Sequence, residues 1–216
     1  HRNQLSNVVR LIIKFAFVFV IPFAIITIAF AGNIISILFG ADYIAATLTL
    51  QILAINAIFY TVFLIFSTSL IAVNKPLTNT KITAFISVLN LALNIIFIPV
   101  YGIAGAAIST TASYFIGMLL TFRSLRKEVT IPIDLGAIAK AFAGGLLMLG
   151  IIFFTKSLQI FDTWLMIIIS LIAGLVAYTL FILRTKGLGK DDLLFLLKLK
   201  IPIPKQAAKI LLKLAS

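Results

Sequence analysis

The chain has 216 residues, of which 62% are hydrophobic and only 11% charged, with no cysteine and a net charge of +12. A soluble domain carries roughly 45–50% apolar and about 25% charged residues, and so short a chain has too little interior to hide this many apolar side chains, so lipid must be the solvent for much of it. Disulfides and thiolate metal sites are excluded, the single histidine is His1, no His, Asp or Glu cluster suits a metal or implies a cofactor, and the basic groups sit between apolar runs and in the tail, a layout of membrane topology that excludes nucleic acid as a partner.

The chain starts at His1 with no secretory pattern before the first apolar run, so a preceding segment is expected to be missing. Uncharged runs mark the spans, each needing about 20 apolar residues to cross a core of about 30 Å. The first covers residues 11–31, kinked at Pro22 and closed by Gly32-Asn33. Residues 34–43 are too short to cross and suit an interfacial helix and turn, where Tyr43 is favoured. The second span, 46–73, stops at Asn74-Lys75-Pro76. No charge occurs between Lys81 and Arg123. A single helix of that length would measure about 60 Å, twice what a bilayer accepts, so Pro99-Val100-Tyr101-Gly102 is expected to split it into spans 82–98 and 104–122. Spans 138–154 and 164–183 complete the set, with Lys140 and Lys156 snorkelling at the fifth and Trp164 anchoring the sixth. The fold expected is an all-α membrane domain of six spans over 1–183, followed by a basic cytoplasmic amphipathic tail over 184–216.

Six spans with the N-terminus inside put seventeen of the eighteen basic residues on one side, leaving Lys156 alone outside. By the positive-inside rule both termini are cytoplasmic, and deleting any span would scramble the alternation.

Polar side chains within spans are costly in lipid and tend to face a bundle interior or a watery cavity. Thr83, Ser87, Asn90 and Asn94 follow at steps of four, three and four, one face of a helix. Asn56, Tyr60 and Ser67 share a face of the second span, with Gln51 nearer its outer end. These positions read either as the lining of a substrate path or as hydrogen bonds between helices. Gly105, Ser109, Ser113 and Gly117, at strict steps of four, read as a helix-packing face, and Thr110 and Thr111 add hydroxyls for backbone carbonyls. Lys14 and Lys81, like Lys140, lie near inner span ends and are candidates to grip a phosphate, with topological anchoring as the competing role. No acid lies deep in a span: Asp42 and Asp162 fall outside, Glu128, Asp134, Asp191 and Asp192 inside. No acid–base pair, P-loop or nucleophile motif points to an enzyme.

Residues 38–114 carry, in order, LFGADY, LQILA, VNKP and LNLALNIIFIPVYGIAGAAIST. In that order and spacing the chain resembles the C-terminal half of polysaccharide flippases, in the superfamily of multidrug, oligosaccharidyl-lipid and polysaccharide exporters. The resemblance implies one lobe of a two-lobed exporter whose N-terminal lobe is missing. Such proteins carry lipid-linked oligosaccharide across the cytoplasmic membrane by rocking one lobe against the other. The partners implied are membrane lipid, the lipid-linked oligosaccharide, the absent lobe and, as candidates, glycosyltransferases. A small-molecule exporter of the same superfamily and a self-contained six-span binding or channel module are the alternatives.

Overall fold

The computed structural model describes residues 2–158, 163–185 and 187, with side chains over residues 5–158, 164–185 and 187. The expected amphipathic tail lies outside these residues beyond position 187, as does Asp162. Among the described residues there are six long helices and no strands: α1 Arg2–Leu38, α2 Thr47–Ala72, α3 Pro76–Tyr101, α4 Ile103–Leu125, α5 Leu135–Ser157 and α6 Thr163–Arg184. All six are long and apolar enough to cross a membrane, and the protein is a multi-pass membrane protein. Helices prevail because hydrocarbon offers no partner for backbone N–H and C=O groups, which must bond within the segment.

One boundary differs from expectation for that same reason. Gly32-Asn33 does not close α1, which continues to Leu38 before a 3₁₀ turn over Ala41–Ala46. One glycine inside a helix costs about 1 kcal/mol relative to alanine, less than exposing unbonded backbone to lipid. The break expected over Pro99-Val100-Tyr101-Gly102 is present at its last residue: α3 runs to Tyr101 and the chain turns at Gly102, with φ 56° and ψ −135°, a conformation a side chain would resist. The break expected at Asn74-Lys75-Pro76 is present, with Asn74 at φ 60° and Pro76 opening α3, where its missing N–H is harmless. The fifth helix is longer than the uncharged run: Asp134 caps it by accepting a hydrogen bond from the Ala137 amide at 2.9 Å, so it starts ahead of Lys140.

The chain divides into two compact units, residues 1–133 and 134–216. In the first, α1 packs on α2, α2 on α4 and α4 on α3, while α2 and α3 barely meet. Helix α4 is thus clamped on two sides, and its buried residues are mostly small: Gly105, Ala107, Ser109, Ser113, Gly117 and Thr121. Small side chains allow this close approach, which dispersion then rewards. In the second unit α5 and α6 pair as a hairpin. A Cβ at Gly144 would meet Phe181 at 3.0 Å, and one at Gly174 would meet Ile152 at 3.0 Å. The Thr155 and Ser170 hydroxyls bond across the pair at 2.8 Å.

Within the first unit, three chain segments meet at one end. The Ser6 hydroxyl donates to the Thr130 carbonyl, and Lys75 pairs with Glu128 at 3.1 Å. The start of α1, the α2–α3 turn and the exit of α4 therefore lie together, and Lys81, Arg123, Arg126 and Lys127 belong to the same end.

Candidate functional site

The polar face of α3 looks onto a cavity of about 380 Å³ lined by Phe63 from α2, Thr83, Ile86, Ser87 and Asn90 from α3, and Thr110, Ser113 and Tyr114 from α4. Helix periodicity explains the α3 wall: these residues return to one side at steps of three and four. Residues Thr110, Ser113 and Tyr114 bring the same spacing from the antiparallel α4.

A short relay of hydrogen bonds stiffens this wall. The Asn94 amide donates to Asn90 Oδ1 at 3.1 Å, and the Asn90 amide donates to Thr110 Oγ1 at 3.3 Å. The Thr110 hydroxyl in turn donates to the Ala106 carbonyl at 2.9 Å. Ser87 is bonded to the Thr83 carbonyl at 2.9 Å. Two atoms are left over: Asn94 Oδ1 and Ser113 Oγ are buried without a partner. A buried polar atom without a partner costs on the order of 1–3 kcal/mol. The face can therefore still accept a hydrogen bond at Asn94 and exchange one at Ser113. The wall among these residues carries no charge, so what it offers is neutral hydrogen bonding beside aromatic rings.

The structure separates the substrate-path candidates. Thr83, Ser87 and Asn90 line the cavity, and Asn94 joins them through Asn90. Tyr60 does not line it; its ring packs edge-on to Tyr114, a lining residue, with centroids 4.9 Å apart. Asn56 is half-buried outside the cavity, with Oδ1 lacking a partner. Ser67 donates to Asn79 Oδ1 at 2.6 Å and so fastens α2 to α3. Gln51 donates to the Ile28 carbonyl at 3.1 Å and fastens α2 to α1.

Lys14 and Lys81 stand on different helices, α1, which packs on α2, and α3, which packs on α4. Lys81 is exposed, whereas Lys14 is 9% exposed. Lys14 stands within α1, which runs from Arg2 to Leu38.

The four small residues of α4 sit against both neighbours. A Cβ at Gly105 would fall 2.2 Å from the Phe97 carbonyl oxygen of α3, and one at Gly117 would fall 3.1 Å from Ile86 and 3.3 Å from Phe63 of α2. Ser109 is fully buried and donates to the Gly105 carbonyl at 2.9 Å. Ser113 belongs to both faces, since it is packed and also lines the cavity. Sequence periodicity marked the polar wall on α3 but missed Phe63 and Tyr114. The available signal was Tyr114, one turn beyond Thr110 on the same face.

A profile of the lipid II flippase MurJ family matches residues 1–188. The chain is 31% identical over 178 residues to the probable low-salt glycan biosynthesis flippase of Haloferax volcanii, covering 82% of this chain and 38% of that protein. It is 35% identical over 127 residues to an uncharacterised membrane protein of Methanocaldococcus jannaschii, covering 59% of this chain and 25% of the relative. A solved structure of lipid II flippase MurJ, in an inward closed conformation, superposes with a TM-score of 0.76 at 23% identity over 86% of this chain and 40% of that one. The chain thus spans well under half the length of the proteins it matches.

Proposed function

Starting from the fact that the chain belongs to the lipid II flippase MurJ family, we propose that it is one lobe of a flippase moving lipid-linked oligosaccharide across the cytoplasmic membrane by alternating access. The observation that carries the reading is the neutral polar cavity of about 380 Å³ set among membrane-crossing helices. Sugar hydroxyls need hydrogen-bond partners when they leave water, and Thr83, Ser87, Asn90 and Ser113 offer them beside the rings of Phe63 and Tyr114. The work is translocation, with no covalent bond made or broken.

The remaining parts follow from the same reading. A preceding lobe, supplied by the rest of a longer protein, closes the path, and the bilayer holds the lipid tail. Lys14 and Lys81 meet the (pyro)phosphate separately, one from α1 and one from α3, as it approaches from the basic end. Both termini are cytoplasmic, because the basic residues of α1–α4 gather at one end of that unit. Glycosyltransferases making the sugar are the expected neighbours.

The test is reconstitution of the full-length protein into vesicles with a fluorescent lipid-linked sugar on one leaflet. Protein-dependent loss of the label to the opposite leaflet is expected, reduced by Asn90→Leu with Asn94→Leu. Failure to move the sugar, with transport of a small drug instead, would transfer the chain to the small-molecule exporters.

A further inference from the structure

We propose that residues 126–133 form a releasable strap across the basic end of the α1–α4 unit, with the Lys75–Glu128 ion pair as its latch. The segment leaves α4 through turns ending with the Val129 amide on the Leu125 carbonyl at 3.0 Å. From there to Asp134, among the described residues, the chain makes no helix and no strand.

The strap is held instead by three attachments of different kinds. Glu128 reaches Lys75 in the α2–α3 turn at 3.1 Å. The Thr130 carbonyl accepts from the Ser6 hydroxyl at the start of α1. Val129 and Ile131 are buried, at 7% and 9% exposure, while Thr130 between them is exposed, the alternation of an extended segment lying on a surface. One eight-residue stretch therefore ties together the start of α1, the α2–α3 turn and the end of α4.

The fastening is weak by design of its chemistry. The Lys75 and Glu128 side chains are 46% and 22% exposed, so water screens their attraction. The amides of residues 126–129 are bonded to the last turn of α4, but among the described residues none of 130–133 adds a backbone bond, and local opening is cheapest where such bonds are few. Charge adds a push. Residues 1–133 contain two acids, Asp42 and Glu128, and Glu128 is the acid at the basic end. Losing its pairing leaves Lys75, Lys81, Arg123, Arg126 and Lys127 at this end without an acid from this unit. The strap thus switches between a latched state, with Val129 and Ile131 covered, and an open state in which the α2–α3 turn is free of α4.

The movement in transport rests on the flippase reading; the latch itself does not. This chain has no cysteine, so single thiols report cleanly once the remainder of the full-length protein is also made cysteine-free. In permeabilised membranes, V129C should react with a polar maleimide several-fold more slowly than K127C. Adding E128Q should speed V129C about two- to fivefold, the change that loss of one screened ion pair corresponds to, and leave K127C unchanged. V129C reacting as fast as K127C, or unmoved by E128Q, overturns the strap. In vesicles, a reducible thiol cross-link between K75C and E128C should stop transport of a lipid-linked sugar, and reduction should restore it. Transport that persists while cross-linked overturns release as a step of the cycle. If the uncross-linked protein moves no lipid-linked sugar, the flippase reading fails, and the labelling rates still judge the latch.

Discussion

At Gly105 there is no room for one methyl group, because its Cβ would lie 2.2 Å from the backbone oxygen of Phe97 and backbone cannot swing aside like a side chain. Gly105→Ala should lower stability by about 1–3 kcal/mol, read as a drop in the unfolding midpoint in detergent. Gly150 has nothing within 4 Å of its would-be Cβ. Gly150→Ala should therefore be neutral or stabilising by up to about 1 kcal/mol in the same assay, through helix propensity alone. The polar positions separate in a different way. Replacing Asn90 and Asn94 together with leucine breaks the relay to Thr110 but removes no packing volume at the α3–α4 seam. The double variant should reach the membrane at normal yield and lose about tenfold or more in transport, equivalent to about 1.4 kcal/mol of lost polar contact. A collapse in yield instead would make the relay structural. The sequence pointed to these residues as a stripe, yet could not say that Tyr60 packs against Tyr114 or that Ser67 is taken up by Asn79. Those facts depend on which helix lies opposite, and periodicity is silent about neighbours.

For whole helices, the informative error fell on Gly32-Asn33. In water that pair is a reasonable stop; in lipid the helix carries on until a residue such as Gly40, at φ 99°, takes a backbone conformation that helices exclude. Polar ends behaved more locally. Asp134 caps α5 through the Ala137 amide, so Asp134→Ala should cost about 0.5–2 kcal/mol, and Asp134→Asn less, in chemical unfolding of the solubilised protein. The α4 pattern of small residues was legible because close packing demands it on any partner. The corresponding role of Gly144 and Gly174 on α5 and α6 was not read from the sequence, since neither helix carries the four-fold small-residue run of α4 and each glycine meets large side chains on the opposite helix.

On the scale of the molecule, the charge layout predicts sidedness. In intact cells carrying a functional full-length protein, K156C should react with an impermeant thiol reagent added outside, while R126C should not; the reverse labelling would invert the topology. The gathering of the α1 start, the α2–α3 turn and the α4 exit supports the alternation that this scheme requires within residues 1–133. The six membrane-length helices were legible along the chain, because the energy of moving apolar groups between water and lipid is summed residue by residue and needs no knowledge of tertiary contacts, and the family likeness was legible in short sequence words. The packing order α1–α2–α4–α3, the cavity walled by three helices and the strap on Lys75 were decided only in the folded structure. Each depends on which faces of separate helices meet, and in lipid, where apolar faces gain little by leaving the solvent, that choice is made by shape, close contact and hydrogen bonds between helices.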